Sequence, residues 1–185
     1  MSLGLLLGIV FTLGWIPVFM YRTEELSEAL PSYQGTERLW MFATPACLAI
    51  HCTVAGVTLS FVDAMPLWST ALGLAVYGTA VVFWLWGRVL ISPLHMRRLP
   101  DEPPLQLRRD GAFGVVRHPL YFSYVLACAA PVIIARSSVL LVTFGVCALV
   151  LAVRAVLEER RLHAQLGAQY EEYCRSVKRL VPFVW

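Results

Sequence analysis

Five long apolar stretches, at residues 3–20, 39–62, 66–91, 120–135 and 137–156, set the terms on which this chain can fold. A helix that crosses the hydrocarbon core of a bilayer needs about 20 mostly apolar residues. The second and third stretches meet that length easily. The fifth meets it with Arg154 reaching along its own stem toward an interface. The fourth is short, and spans only with the polar residues at its ends or by tilting within a helical hairpin. The expected fold is therefore all-α: a polytopic membrane protein of about five transmembrane helices.

Composition agrees. The 185 residues are 58% hydrophobic and 15% charged, with a mean hydropathy of +0.67. Soluble domains average about 45–50% apolar and about 25% charged. The length suits one integral-membrane domain over residues 1–185, with three spans through residue 91 and a loop, a hairpin and a C-terminal helix over 92–185. No basic residue precedes the first stretch, and it runs on into Phe19-Met20-Tyr21-Arg22 without a small-residue cleavage pattern. It is expected to be a retained helix rather than a signal peptide.

The net charge is +3, and its distribution is more telling than its sum. Arg97, Arg98, Arg108, Arg109 and Arg117 lie between the third and fourth stretches, and Arg160, Arg161, Arg175, Lys178 and Arg179 follow the fifth. The expected outer turns carry only Arg136. Lys and Arg mark cytoplasmic loops, so the N-terminus is expected outside and the C-terminus in the cytoplasm. These basic residues report topology and contact with anionic membrane lipids. They give no case for nucleic acid, and no obligate protein partner is evident.

Four of the cysteines (Cys47, Cys52, Cys128 and Cys147) lie inside apolar stretches, where a thiol behaves as a small apolar residue. Cys174 belongs to the tail, where a reducing compartment keeps it a thiol. With no CxxC pair, neither a disulfide framework nor a metal site is expected. Residues 22–38 form a polar connector with a short interfacial helix expected before Pro31. The very short Asp63-Ala64-Met65 link makes the second and third spans an antiparallel hairpin. The loop from 92 to 117 contains Pro93, Pro100, Pro103 and Pro104 and cannot be one helix. Beyond Glu159, Leu162, Leu166, Tyr170, Tyr173 and Val177 recur at helical spacing, with Gly167 as a break or kink.

Two polar clusters bracket the hairpin formed by the fourth and fifth stretches. Arg117-His118-Pro119-Leu120-Tyr121 stands before it and Glu158-Glu159-Arg160-Arg161 after it, so both emerge on one side of the bilayer. Pro119 fits the first turn of a helix, which puts His118 near the N-cap and lets Arg117, His118 and Tyr121 group together. A helix N-terminus favours an anionic group. Equally, Arg and Tyr can anchor a helix at headgroup depth. Glu158 and Glu159 can accept hydrogen bonds from a ribose hydroxyl or an ammonium, or simply pair with Arg154, Arg161 or a loop arginine. At least one of them should point back into the protein. Arg88, one turn inside the end of the third span, and His95 can each line a site or snorkel. His51 reads as an imidazole hydrogen-bonded to another helix. Asp63 reads as solvated. Trp15, Trp68, Trp84, Trp86 and Trp185 read mostly as interfacial or lipid-facing rings.

The ordered motifs resemble a known family. Gly111-Ala112-Phe113-Gly114-Val115-Val116-Arg117-His118-Pro119-Leu120-Tyr121 is similar to a G-x-[YF]-x-x-x-R-H-P-x-Y segment. Glu158-Glu159-Arg160-Arg161-Leu162, then Gly167-Ala168-Gln169-Tyr170-Glu171-Glu172-Tyr173 and Pro182, is similar to an E-E-x-x-L…G-x-x-Y-x-x-Y…P tail. Both belong to the isoprenylcysteine carboxyl methyltransferases and related integral-membrane methyltransferases. The resemblance covers residues 92–185. Gly111-Ala112-Phe113 stands where the family often has Gly-Pro-Tyr, which removes a hydroxyl and keeps the turn and an aromatic ring.

The resemblance implies an enzyme that uses S-adenosyl-L-methionine, bound in a cytoplasmic C-terminal helical region. The implied cofactor-binding positions are Val115, Val116, Arg117, His118, Tyr121, Glu158 and Glu159, and Arg117 and Arg88 are implied to orient the acceptor as catalytic residues. The acceptor is lipophilic or small: a carboxylate such as prenylcysteine, or a thiol or amine. A sulfonium methyl is already activated, so such an enzyme mainly aligns the nucleophile and excludes water. A carboxylate or thiolate needs no base, whereas a neutral thiol or an amine could use His118. Two alternatives stay open: a membrane NADPH-dependent reductase related to sterol reductases, which shares R-H-P-x-Y and a Tyr-Cys tail like Tyr173-Cys174, and a non-enzymatic membrane protein.

Overall fold

The structure is a computed structural model that describes residues 2–14, 36–62, 64–90, 107 and 109–182, without the side chains of 36–38, 41 and 88–90. The connector over 22–35, most of the 92–117 loop with His95, and Asp63, Trp15 and Trp185 lie outside the described residues. Seven helices are described: α1 (Leu3–Leu13), α2 (Thr36–Ser60), α3 (Leu67–Leu90), α4 (Ala112–Val115), α5 (Pro119–Ala135), α6 (Ser138–Leu166) and α7 (Ala168–Ser176). The described residues contain no strand, only a parallel bridge between Val116 and Lys178.

Three helices are long and apolar enough to cross a membrane, over Phe42–Ser60, Leu67–Gly87 and Ser138–Leu166. The helices α1 and α5 are apolar but shorter, at 11 and 17 residues. At 1.5 Å per residue α5 is about 25 Å long, just under the roughly 30 Å hydrocarbon core. Large aliphatic side chains stay open along α6, with Val142 67% and Leu149 65% exposed. In water such faces would be costly; in lipid they need no cover. The apolar part of α6 ends near Val156, and its last turns carry charge.

The packing is α1 on α2, α2 on α6, α5 on α6, and most extensively α3 on α5. Small residues permit the closest of these approaches. A Cβ on Gly73 of α3 would come within 2.9 Å of the Ala130 carbonyl of α5 and run into Ile134. Gly56 of α2 sits against Thr12 and the Gly8 carbonyl of α1. Close backbone approach through small residues is how helices associate in lipid, where burying apolar surface gives no advantage.

Polar ties also join the helices. His51 of α2 reaches Thr143 Oγ1 of α6 at 2.8 Å through Nδ1, and the Cys128 carbonyl of α5 at 3.0 Å through Nε2. A neutral ring with its proton on Nε2 donates to that carbonyl and accepts at Nδ1. Cys47 and Cys147 bring their sulfur atoms within 3.1 Å across α2 and α6, packed with Leu48, Cys128, Phe144 and Tyr124. These thiols fill space as the sequence suggested, and they also touch one another. At the hairpin tip Arg136 adopts the left-handed conformation (φ 51°), ends α5 and lies over the Trp68 ring. Trp68 and Trp86 are open, whereas Trp84 is half-buried.

Candidate functional site

The two polar clusters meet. Gly111, with φ 57°, starts the short α4, and the chain then extends through Val116. There it runs beside the tail: the Arg117 amide donates to the Lys178 carbonyl at 2.8 Å and the His118 amide to the Arg179 carbonyl at 3.1 Å. His118 is the N-cap of α5 and Pro119 its first residue, where a missing N–H costs nothing. The His118 and Tyr121 rings stack, with centroids 5.5 Å apart and planes 9° apart.

Adjacent glutamates on α6 point about 100° apart around the helix, and the two do different work. Glu159 is buried, at 4% exposed, and accepts Arg117 Nε at 2.9 Å and Arg179 Nε at 2.8 Å. Burial alone would raise its pKa. The close approach of His118, Arg179 and Arg117 outweighs that and holds the carboxyl down at about 2, against an ordinary 4.5. Arg117 also donates to the Cys174 and Val177 carbonyls, at 3.1 and 2.6 Å. Arg117, Glu159 and Arg179 thus form a clamp that holds the C-terminal tail against α6 and the start of α5.

Glu158 is more open, with its side chain 31% exposed. Its Oε1 accepts the Tyr121 hydroxyl and Arg154 Nε, the latter at 3.2 Å. Its Oε2 lies 3.7 Å from His118 Nδ1. Arg154 is buried and also donates to the Trp40 carbonyl of α2 at 3.3 Å, so a charge inside the apolar helix is fully engaged. His118 is only 8% exposed. Its Nε2 lies 3.3 Å from Glu159 Oε1, within ion-pair distance, and is a buried polar atom without a hydrogen bond of good geometry. Buried polar groups are nearly always satisfied, so this nitrogen fits a group that arrives with a ligand.

Of the sequence candidates, His118, Tyr121, Glu158 and Glu159 come together, with Arg117 on the tail side of Glu159. Val115 ends α4 and Val116 is fully buried beside Lys178. Arg88 lies in the last turn of α3; its side chain is outside the described residues. The next residue back, Gly87, packs on Pro119 and Leu120, which brings that end of α3 to the site. Sequence reasoning missed Arg179 as a member of the cluster. It lies 20 residues beyond Glu159 and reaches it only through the bridge of the tail to Val116. Arg109 belongs to a neighbouring support, bonded to the Gln169 carbonyl at 2.8 Å and to Glu172 at 3.3 Å. Tyr173 donates to the Phe113 carbonyl at 2.6 Å.

The fold and cluster describe a helical protein with spans fit for a membrane and, at one end of its hairpin, a carboxylate pair ringed by arginine, histidine and tyrosine. The chain is 27% identical over 132 residues to Methanethiol S-methyltransferase 2 of Bradyrhizobium diazoefficiens, a match covering 63% of this chain and 50% of that protein. The chain therefore spans about half the length of that relative. No protein-family model matches it, and no solved structure does.

Proposed function

We propose that the protein is an integral-membrane methyltransferase that carries the methyl of S-adenosylmethionine to a small or lipophilic acceptor at the cytoplasmic face. The observation that carries this reading is the buried His118 Nε2, which makes no hydrogen bond, beside the half-open Glu158 and the stacked Tyr121 ring. The cofactor would supply an activated methyl on a sulfonium, together with an ammonium and ribose hydroxyls, all of which suit a carboxylate.

Glu158 is suited to accept from such groups, and the His118–Tyr121 pair offers aromatic surface. The Arg117–Glu159–Arg179 clamp keeps the tail closed over these residues, so its role is one of positioning. The similarity to a methanethiol S-methyltransferase supports methyl transfer and favours a small acceptor. Isoprenylcysteine carboxylates belong to the motif family and are the larger alternative.

The test is transfer of labelled methyl from S-adenosylmethionine by detergent-solubilised protein to a total extract of membrane lipids, peptides and small metabolites, followed by identification of the labelled product. A labelled small product is expected. No labelled product beyond the no-enzyme control would refute methyl transfer. Glu158→Gln, which keeps a carbonyl oxygen for Tyr121 and Arg154, and His118→Ala are each expected to weaken binding of the demethylated cofactor about tenfold or more while the protein still inserts. Unchanged binding in both variants would make the cluster purely structural.

A further inference from the structure

The helices α2 and α6 run antiparallel along one seam, whose register is fixed at three points. His51 Nδ1 meets Thr143 Oγ1 at 2.8 Å. Four residues back on α2 and four residues on along α6, Cys47 Sγ lies 3.1 Å from Cys147 Sγ. Seven residues further in the same senses, the Trp40 carbonyl accepts Arg154 Nη1 at 3.3 Å. The steps are equal on the two helices, so the seam itself brings the thiols together. The sulfur atoms are closer than ordinary van der Waals contact, and about 1 Å farther apart than the two sulfurs of a disulfide.

The two thiols differ in access. Cys147 is buried and Cys47 half-buried, and both lie in apolar spans. Ile50, one turn along α2 from Cys47, is 61% exposed, so this flank of the pair opens to lipid. The Cys147 thiol donates to the Cys47 carbonyl at 3.4 Å, which holds its sulfur against α2. Cys128 of α5 packs beside the pair and is buried.

We propose that Cys47 and Cys147 are a reactive pair that a hydroperoxide dissolved in the membrane oxidises to a disulfide, tying α2 to α6. The inference stands apart from the methyl-transfer reading. Cys47, the more open sulfur, attacks the peroxide. The O–O bond breaks, the sulfur takes one oxygen as a sulfenic acid, and the other oxygen leaves as an alcohol with the thiol proton. Cys147 Sγ then attacks the Cys47 sulfur, the S–S bond forms, the S–O bond breaks and water leaves with the second thiol proton. The two thiols give up two electrons, and the hydroperoxide is reduced to alcohol and water. A charged, hydrophilic thiol reductant is kept from this depth by its desolvation cost, so a reducing cytoplasm does not quickly undo the bond.

The test exposes full-length protein in lipid nanodiscs to cumene hydroperoxide, then denatures it and labels the remaining thiols with a maleimide. Two of the five cysteines should be lost to labelling, and reduction of the denatured protein should restore them. Peptide mass spectrometry should find Cys47 joined to Cys147. Cys128→Ala should keep the crosslink and Cys47→Ala should abolish it. The bond joins residues 100 apart in sequence, so oxidised protein extracted into detergent should melt about 5 °C or more above reduced protein. Hydrogen peroxide, supplied from the water, should react more slowly than cumene hydroperoxide. Five labelled thiols after exposure, an oxygenated Cys47 without a crosslink, or a Cys128–Cys147 bond instead would overturn the pair. An unchanged melting temperature would mean that the bond forms only after the seam has come apart, and hydrogen peroxide as the faster oxidant would overturn the route through lipid.

Discussion

At the residue scale, neighbouring carboxylates are separated by their burial. Glu159 is closed off and saturated by Arg117 and Arg179, with His118 Nε2 also facing it, while Glu158 remains partly open. A carboxyl held at about 2 in the fold and titrating near 4.5 unfolded contributes stability that is complete above about 4.5. That contribution is lost as pH falls from there through about 2. Thermal unfolding of the solubilised protein should therefore show an acid limb in this window, and Glu159→Gln should flatten it. An identical acid limb in the variant would contradict the clamp. Glu159→Ala, which strands two arginines at a buried site, is expected to cost about 3–5 kcal/mol.

The glutamate pair was legible in the sequence, but which glutamate faces inward was not. That depends on the rotational setting of α6 against α5, which packing decides. Arg179 was illegible for a different reason: only the bridge between Val116 and Lys178 brings the tail back to α6. Apart from the His118–Tyr121 stack and the Arg154–Glu158 pair, the site is assembled from contacts distant in sequence.

At the element scale, the helices are held by close backbone approach and a few polar ties. Gly73→Leu would press on the Ala130 carbonyl and on Ile134 and push α3 from α5. Overpacking of this kind typically costs about 1–3 kcal/mol, so the melting temperature in detergent should fall, whereas Gly78→Leu, at a glycine with open space around it, should change it little. Equal losses in the two variants would count against this packing. His51→Leu removes both ties to α5 and α6 and is expected to cost about 0.6–1.7 kcal/mol, the range for hydrogen bonds between membrane helices.

The apolar stretches were legible because helix length and hydropathy are local properties. The contacts between helices were not, because glycine and histidine carry no mark of the partner they meet. Trp84 was equally hidden: it read as a lipid-facing ring but lines a cavity between α3 and α5.

At the scale of the whole molecule, the hairpin of α5 and α6 explains how Arg117 and Glu159, 42 residues apart, come into contact, since its ends return to one place. From the distribution of Lys and Arg, we propose that this place faces the cytoplasm. In a background without native cysteines, Arg109→Cys and Glu171→Cys should react with an impermeant thiol reagent from the cytoplasmic side only, and Ser2→Cys from the other side. Labelling of all three from one side would contradict the proposed five-span topology.

The central claim is that the arginine–histidine–glutamate cluster holds an adenosyl cofactor and not a nicotinamide one. Calorimetric titration of the solubilised protein with S-adenosylhomocysteine, repeated in excess NADPH, tests it directly. The account predicts saturable binding with a dissociation constant on the order of micromolar, unaffected by NADPH and weakened in His118→Ala. Binding of NADPH with none of S-adenosylhomocysteine would contradict it.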